Sequence, residues 1–479
     1  MELNQIGIYG LGVMGKNLAL NFEQSGFSVS VFNRNAPGEE HIVNDFITAE
    51  GAGKKFTATG SAAEFCSSLQ TPRIILLMVK AGEAVDHVID ELKPFLEPGD
   101  IIIDGGNSHF EDTIRRTRQL DENNIHFVGM GVSGGEEGAR NGPSLMPGGN
   151  AKAWNIIKPI LEPVSARAFD GSPCCAWIGL SGAGHFVKMV HNGIEYADMQ
   201  IIAEAYHVIK NGLDMDSKEI SNQFKIWADT TLSSYLFEIT ADIFSVSDSQ
   251  GKPLVEKILD KAGQKGTGKW TAIHALELGV PLPTISQSVY ARYFSSQKNL
   301  RKELSSNVNF KSRASFSDKG KVLDELEHAL IASRMISHAE GFHLISSASE
   351  HFGWSVDFSS VAKIWQGGCI IRSNLLETIN MAYSKNPGLK HLLLDSSYSK
   401  KIESHISGWR HFLGRAVVSA IPVPAISSAL NAYDSLHTEN LPANLIQAQR
   451  DYFGAHTYQR RDKPEGGFYH TDWTGKKSE

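Results

Sequence analysis

Five residues with different side-chain chemistries fall at i, i+3, i+4, i+7 and i+8: Lys188, His191, Asn192, Glu195 and Tyr196. On an α-helix this spacing puts all five on one face. They lie in SGAGHFVKMVHNGIEYADMQ, residues 181–200, which opens on a Gly-rich turn and contains no Pro, so a helix is expected from that turn onward. Val187, Val190, Ile194 and Ala197 take the opposite face. Two readings are open. A polar stripe on an amphipathic helix is ordinarily a solvated face. Such faces are rich in Glu, Lys and Gln, however. This one sets a base, an acid, an imidazole, an amide and a phenol side by side, a set suited to proton transfer on a polar substrate.

The elements that would position this face lie upstream. Gln5–Tyr9 reads as a short apolar strand, Gly10-Leu11-Gly12-Val13-Met14-Gly15 follows it, and Lys16–Gln24 reads as a helix. This is G-x-G-x-x-G in the strand–turn–helix setting of a dinucleotide site, with the pyrophosphate at the helix N-terminus. The next strand, Ser28–Phe32, ends in Asn33-Arg34-Asn35 rather than in the acid that would bond a ribose 2′-hydroxyl. A neutral Asn and an Arg suit a 2′-phosphate, so NADP is expected over NAD.

Three more strands are expected at Arg73–Met78, Ile101–Asp104 and Ile125–Gly129. Each runs into a loop: Val79-Lys80-Ala81, Gly105-Gly106-Asn107-Ser108, and Gly131-Val132-Ser133-Gly134-Gly135. Ligands of doubly wound sheets sit outside the carboxyl ends of the strands, so these loops should share one crevice. Asn107 offers a donor and an acceptor there, and Ser133-Gly134-Gly135 a hydroxyl and close backbone N–H groups.

After residue 180 strand-like runs almost disappear and helical patterns continue to about Leu436. The expected architecture is therefore a Rossmann-type α/β domain over 1–180, a large all-α domain over 181–436, and a C-terminal tail over 437–479. The all-α part repeats itself weakly. Ala203-Glu204-x-Tyr206-His207 matches Ala339-Glu340-x-Phe342-His343, Lys225-Ile226-Trp227 matches Lys363-Ile364-Trp365, and Ser234-x-Leu236-x-Glu238 matches Ser373-x-Leu375-x-Glu377, at offsets of 136, 138 and 139. Carried forward by 136, the polar face becomes Asp324, Glu327, His328, Ile331 and Ala332. None of its five residues is kept. That favours chemistry in the first copy and a scaffold role in the second.

Two basic stretches lie within the helical part. Lys265-Gly266-Thr267-Gly268-Lys269 suits a phosphate as well as it suits a plain turn. Arg292, among aromatic neighbours, is the kind of lone Arg that more often forms a structural ion pair. The tail holds Arg450, Tyr452, Phe453, His456 and Tyr458. Aromatics at that density argue against disorder and for packing, another subunit being one candidate.

The totals fit this plan. At 479 residues the chain exceeds a single core. A net charge of −7 argues against nucleic acid. Cys66, Cys174, Cys175 and Cys369 have no metal-ligand spacing and suggest no disulfide framework. No metal is expected, and neither is a signal peptide or a membrane span. A cytoplasmic setting is expected.

With these residues set out, the chain resembles the decarboxylating 6-phosphogluconate dehydrogenases over essentially its whole length. The motifs are GLGVMGKN at 10–17, FNRN at 32–35, VKAG at 79–82, DGGNS at 104–108, GVSGGEEGA at 131–139, HFVKMVHNGIEY at 185–196, QKGTGKW at 264–270 and QRDYFGAHTY at 449–458. The resemblance implies a homodimer that oxidises and decarboxylates 6-phosphogluconate with NADP, in the pentose phosphate pathway and gluconate utilisation. Gly10–Gly15, Asn33, Arg34, Asn35, Val79, Lys80, Ala81 and Asn107 would bind NADP. Asn107, Ser133, Gly134, Gly135, His191 and Asn192 would hold the sugar-acid end, and Tyr196, Lys265, Thr267 and Arg292 the phosphate. Arg450 and His456 would reach that phosphate from the partner's tail. Lys188 would be the general base and Glu195 the general acid. Asn35 departs from the Thr or Ser of many members, which touches only the 2′-phosphate contact. Two other readings stay open: a different β-hydroxyacid dehydrogenase, which leaves the basic residues without a role, and an inactive NADP-binding protein, which leaves Lys188 and Glu195 without one.

Overall fold

The computed structural model describes residues 3–34, 37–308 and 316–475. Asn35 lies outside the described residues. The strands are β1 (Ile6–Tyr9), β2 (Val29–Phe32), β3 (Phe56–Ala58), β4 (Ile74–Leu77), β5 (Ile101–Asp104), β6 (His126–Ser133), β7 (Ser144–Gly149) and β8 (Gly179–Leu180). They form one sheet in the order β3-β2-β1-β4-β5-β6-β7-β8. The first six in that order are parallel, β7 runs antiparallel to β6, and β8 is parallel to β7.

IGIY, VSVF, IILL and IIID are buried along their whole length, as strands covered on both faces must be. Alternate residues feed two cores. Ile6, Ile8, Val29, Val31, Ile74, Leu76, Ile101 and Ile103 face one side. Tyr9, Phe32, Ile75, Leu77 and Ile102 face the other. This is the expected doubly wound α/β domain, and β1, between β2 and β4, marks its switch point.

One expectation fails. Gly131-Val132-Ser133 is strand rather than loop, because β6 runs on to Ser133 against β7, with Val132 opposite Leu145 and Ser133 opposite Ser144. The antiparallel partner, Ser144–Gly149, has the sequence SLMPGG. Its Pro and two Gly hide it from a propensity reading.

The helix expected after the turn runs Ala183–Gly212, 30 residues. It is laid directly on the sheet. A Cβ at Gly184 would collide with the carbonyl oxygens of Gly129 and Met146, and one at Gly131 with the Cβ of Lys188. The glycines of β6 and of the helix's first turn thus let the two backbones touch, which brings Lys188 over the end of the sheet. A second long helix, Lys319–Phe352, packs against the first. Asp198 on one and Arg334 on the other form a buried ion pair, 3.2 Å apart.

Residues matched by the repeat play matched parts. Glu204 accepts the backbone N–H groups of Ala425 and Ile426, at the start of helix Pro424–Leu436. Glu340 accepts those of Thr284 and Ile285, at the start of helix Pro283–Ser296. Each copy therefore caps a helix that belongs to the other. Ser234 and Ser373 meet in an isolated β-bridge. Trp227 donates to Glu327 at 3.2 Å, and Trp365 packs edge-on against His191, the residue matched to Glu327.

Residues Met1–Ala429 and Leu430–Glu479 are separate compact units. In the second, helix Ala443–Gly454 presents the buried Asp451. Its carboxylate accepts from Thr457 N, Thr471 N and Trp473 Nε1, and His470 Nδ1 lies 2.9 Å from it. Asp451 thus ties the segment through Trp473 together. Among the described residues no helix is long and apolar enough to cross a membrane.

Candidate active site

The polar face of helix Ala183–Gly212 is not solvated. Lys188 is 7% exposed and His191 0%, and Tyr196 is buried as well. The opposite face, with Val187, Val190, Ile194 and Ala197, is buried too. The ordinary reading of an amphipathic surface helix therefore does not hold, and each polar group must be accounted for.

Lys188 Nζ lies 3.5 Å from His191 Nδ1. His191 Nδ1 is 3.1 Å from Asn192 Oδ1, and its Nε2 is 3.3 Å from Ser133 Oγ. Asn192 Nδ2 donates to Thr267 Oγ1 at 3.1 Å, which fixes the amide so that its oxygen faces the ring. That oxygen can only accept, so Nδ1 carries the imidazole proton and Nε2 is left to accept from Ser133. Burial, and then the neighbouring Lys188, push the His191 pKa well down, so the ring stays neutral.

Burial likewise lowers the Lys188 pKa, against the pull of Glu195 and of the Cys369 thiol. Burial raises the Glu195 pKa, against Lys188 and Arg292. Both shifts run toward neutrality. One helix thus carries a lysine eased toward its neutral form and a carboxyl eased toward its protonated form, the two states a base and an acid need. Their Cα atoms are about 10 Å apart along the axis, a span that long side chains can close onto neighbouring atoms of one substrate.

Beyond Glu195 the site becomes cationic. The Arg292 guanidinium stacks 3.5 Å from the centroid of the Tyr196 ring, and its Nη1 donates to the Gly263 carbonyl at 2.7 Å. Arg292, for which a structural ion pair was the ordinary reading and a phosphate contact the one implied by the resemblance, rests on an aromatic face beside the acid. Tyr196 packs so close to Gly268 that a Cβ there would strike the ring. This holds the Gly-rich turn, with Thr267 buried and Lys265 exposed, against helix Ala183–Gly212. Thr267 also opens helix Thr267–Glu277, whose N-terminus has no side-chain cap among the described residues.

The nucleotide loops fit a dinucleotide. Gly10 has φ +101°, where a Cβ would come 2.6 Å from the Met78 carbonyl, whereas around Gly12 the space is open. Gly12 stands at the N-terminus of helix Val13–Gln24, again without a side-chain cap. Asn33 Oδ1 accepts from Leu11 N at 3.0 Å, tying the end of β2 to this loop. A cavity of about 340 Å³ is lined by Gly10, Gly12, Asn33, Arg34, Val79 and Lys80. Val13 is exposed and Met14 half-buried at the same helix start. The structure thus brings Gly10–Gly15, Asn33, Arg34, Val79 and Lys80 together, with Ala81 next along the chain.

Asn107 is held from both sides by a residue the sequence reading left without a role. Asp104, the last residue of β5, accepts from Gly106 N at 3.0 Å through Oδ1 and from Ser108 Oγ at 2.6 Å through Oδ2. The signal was available in DGGNS, an acid at a strand end followed by two glycines. Gly134, at φ +112°, needs its glycine because the Gly368 carbonyl would stand 2.7 Å from a Cβ. Gly135 opens helix Gly135–Asn141. Trp365 and Cys369, beside His191 and Lys188, come from the second copy. They could not be placed from sequence because their neighbours are more than 170 residues away. Arg450 and His456 belong to the C-terminal unit, where Arg450 Nη1 donates to Gln447 Oε1 at 3.1 Å.

A Gly-rich phosphate loop at the switch point of a doubly wound sheet, joined to a buried helix bearing a base and an acid, defines a dinucleotide-dependent dehydrogenase. Residues 5–179 match the family described as the NAD binding domain of 6-phosphogluconate dehydrogenase. Residues 184–473 match 6-phosphogluconate dehydrogenase, C-terminal domain. The chain is 51% identical to the decarboxylating 6-phosphogluconate dehydrogenase of Ovis aries, covering 99% of this chain and 98% of that one. It is 51% identical to the NADP(+)-dependent, decarboxylating 6-phosphogluconate dehydrogenase of Bacillus subtilis, covering 99% and 100%. Plasmodium falciparum 6-phosphogluconate dehydrogenase, solved in its apo form and in complex with NADP+ and with 6-phosphogluconate, matches over 98% of this chain and 100% of its own, at 41% identity and a TM-score of 0.94. The chain belongs to the 6-phosphogluconate dehydrogenase family.

Proposed function

We propose that the chain oxidises and decarboxylates 6-phosphogluconate to ribulose 5-phosphate and CO2, reducing NADP. The observation that carries this reading is the pair Lys188 and Glu195 on one buried helix face, each eased by burial toward its uncharged form. NADP, held by Gly10–Gly15, Asn33, Arg34, Val79, Lys80, Ala81 and Asn107, would supply the hydride acceptor. Neutral Lys188 takes the proton of the substrate's 3-hydroxyl as that carbon is oxidised. His191, Asn192, Ser133, Gly134, Gly135 and Asn107 orient the sugar acid. The resulting β-keto acid loses its carboxylate as CO2. Protonated Lys188 hydrogen-bonds the C3 oxygen while the electrons of the breaking C–C bond collect there. Glu195 then protonates the carbon that bore the carboxylate. Tyr196, Lys265, Thr267 and Arg292 receive the phosphate.

The tail completes this reading. Arg450 and His456 are assigned to the substrate phosphate of a partner subunit in a homodimer, with 1–180, 181–436 and 437–479 as nucleotide, helical and tail parts. Four buried, unbridged cysteines support a reducing, cytoplasmic setting. The pentose phosphate pathway and gluconate utilisation are the matching metabolic place.

Purified protein with 6-phosphogluconate and NADP should yield NADPH and CO2 in equal amounts. NADPH without CO2 would point to another β-hydroxyacid oxidation, and neither product would sink the reading. Gluconate should be a poor substitute. Truncation before Arg450 should raise KM for 6-phosphogluconate sharply and leave NADP binding nearly unchanged; an unaltered KM would reject the tail's role.

A further inference from the structure

The loop that follows β2 carries an anion of its own. Glu39 Oε2 accepts from Asn33 Nδ2 at 3.1 Å and from Arg34 Nε at 3.0 Å, and Glu39 Oε1 accepts from Arg34 Nη2 at 2.8 Å. Both guanidinium donors on that edge are therefore taken in a fork, the geometry in which Arg holds a phosphate or a carboxylate. Two cavities meet at this pair. One, of about 340 Å³, contains Gly10, Gly12 and Lys80. The other, of about 220 Å³, contains Phe32, Ala58 and Thr59. Asn33, Arg34 and Glu39 line both. The two residues read from sequence as the 2′-phosphate site are thus already engaged by a carboxylate.

We propose that Glu39 is a specificity-determining residue for the coenzyme. It competes with the 2′-phosphate of NADP for Arg34, and on NAD it accepts a hydrogen bond from the free ribose 2′-hydroxyl. This rests on the NADP reading of the same site. The chemistry is asymmetric. NAD offers a hydroxyl donor, which an acid at this position accepts. NADP offers a dianion, so Arg34 must exchange one anion for another and leave Glu39 beside it. The Arg34 and Glu39 side chains are 64% and 31% exposed. The pair is therefore water-screened and of the weak kind that a dianion can displace. The preference for NADP is tempered by Glu39 rather than set by Arg34 alone.

Equilibrium titration calorimetry of the full chain with NADP and with NAD, in wild type, Glu39→Gln and Glu39→Ala, tests this without reference to turnover. In both variants Kd for NADP should fall about two- to fivefold, the range of an exposed ion pair. Kd for NAD should rise about three- to tenfold, the range of one hydrogen bond. In an Arg34→Ala background the Glu39→Gln gain for NADP should shrink to the part due to Glu39 standing beside the phosphate, because no guanidinium is left to compete for. Opposite movement of the two coenzymes supports the proposal. Parallel movement, or no change in NADP affinity, overturns it and reduces Glu39 to a loop-ordering residue. If neither wild type nor variant binds NADP, the coenzyme reading falls and takes the proposal with it. If wild type binds NADP and the variants bind it equally, the proposal alone falls.

Discussion

Helix Ala183–Gly212 buries Lys188 and sets Glu195 beside Arg292, whereas the matching positions of helix Lys319–Phe352 hold Asp324, 75% exposed, and the apolar Ile331. Both helices keep the groups that hold the pair together: Asp198 facing Arg334, Glu204 and Glu340 at the foreign helix starts, and a Trp on each side. What the copies share is architecture, and what separates them is the row of side chains turned toward the nucleotide domain. Packing tolerates a carboxylate in either copy only where N–H groups or a cation meet it. Glu204 and Glu340 are met by backbone N–H groups at helix starts, yet burial still raises each to about 7. Among the described residues Glu195 accepts no backbone hydrogen bond of that kind, and burial raises its pKa against Lys188 and Arg292.

The comparison breaks most visibly at Lys188. Lys188→Met should cut kcat about a thousandfold, within the range of a lost general base. Asp324→Asn, at the matched position, should leave it within about twofold. Comparable losses from both would dissolve the division into a catalytic and a scaffold copy. Next in size is Glu195→Gln, with an expected loss of about a hundredfold. Its pH profile tells more than its rate. Lys188 must be neutral, so activity rises with pH through its lowered pKa. Glu195 must be protonated, so activity falls with pH through its raised one. The variant should keep the rise and lose the alkaline fall, while Ile331→Val leaves the whole profile in place. Initial rates of NADPH formation across pH settle this.

The smallest effects sharpen what the copies share. Glu340→Ala and Glu204→Ala each strand two buried N–H groups, and each should cost about 1–3 kcal/mol in urea unfolding. They should differ in function. Glu340 caps the helix that carries Arg292, so its loss should raise KM for 6-phosphogluconate, whereas Glu204→Ala should not. Equal KM values in the two variants would mean that Arg292 is positioned without its helix cap.

Much of this was legible in the residues. Ile101–Asp104 is a strand as read, β1 and β2 are each shorter than read by one residue at one end, and β4 by one residue at both ends, because short apolar runs ahead of turn residues leave little choice. The shared face of Lys188, His191, Asn192, Glu195 and Tyr196 follows from spacing alone. Its burial does not, since a solvated stripe and a buried one have the same periodicity. The extension of β6 through Ser133 depended on a Pro- and Gly-containing partner strand. The stacking of Arg292 on Tyr196 could not be read because the two lie 96 residues apart in sequence, and Glu39 was passed over because an acid in a surface loop carries no pattern. The repeat showed Glu204 and Glu340 as a match, but their partners, 221 and 56 residues away, are assembled only by the fold.

That exchange of caps makes the helical region a closed loop of obligations. Neither copy can finish its own short helix until the other has laid down its long one. Opening either would expose, in the other, a carboxylate buried without its donors. The two should therefore unfold together rather than one after the other, and protection against hydrogen exchange along both long helices should be lost in a single step.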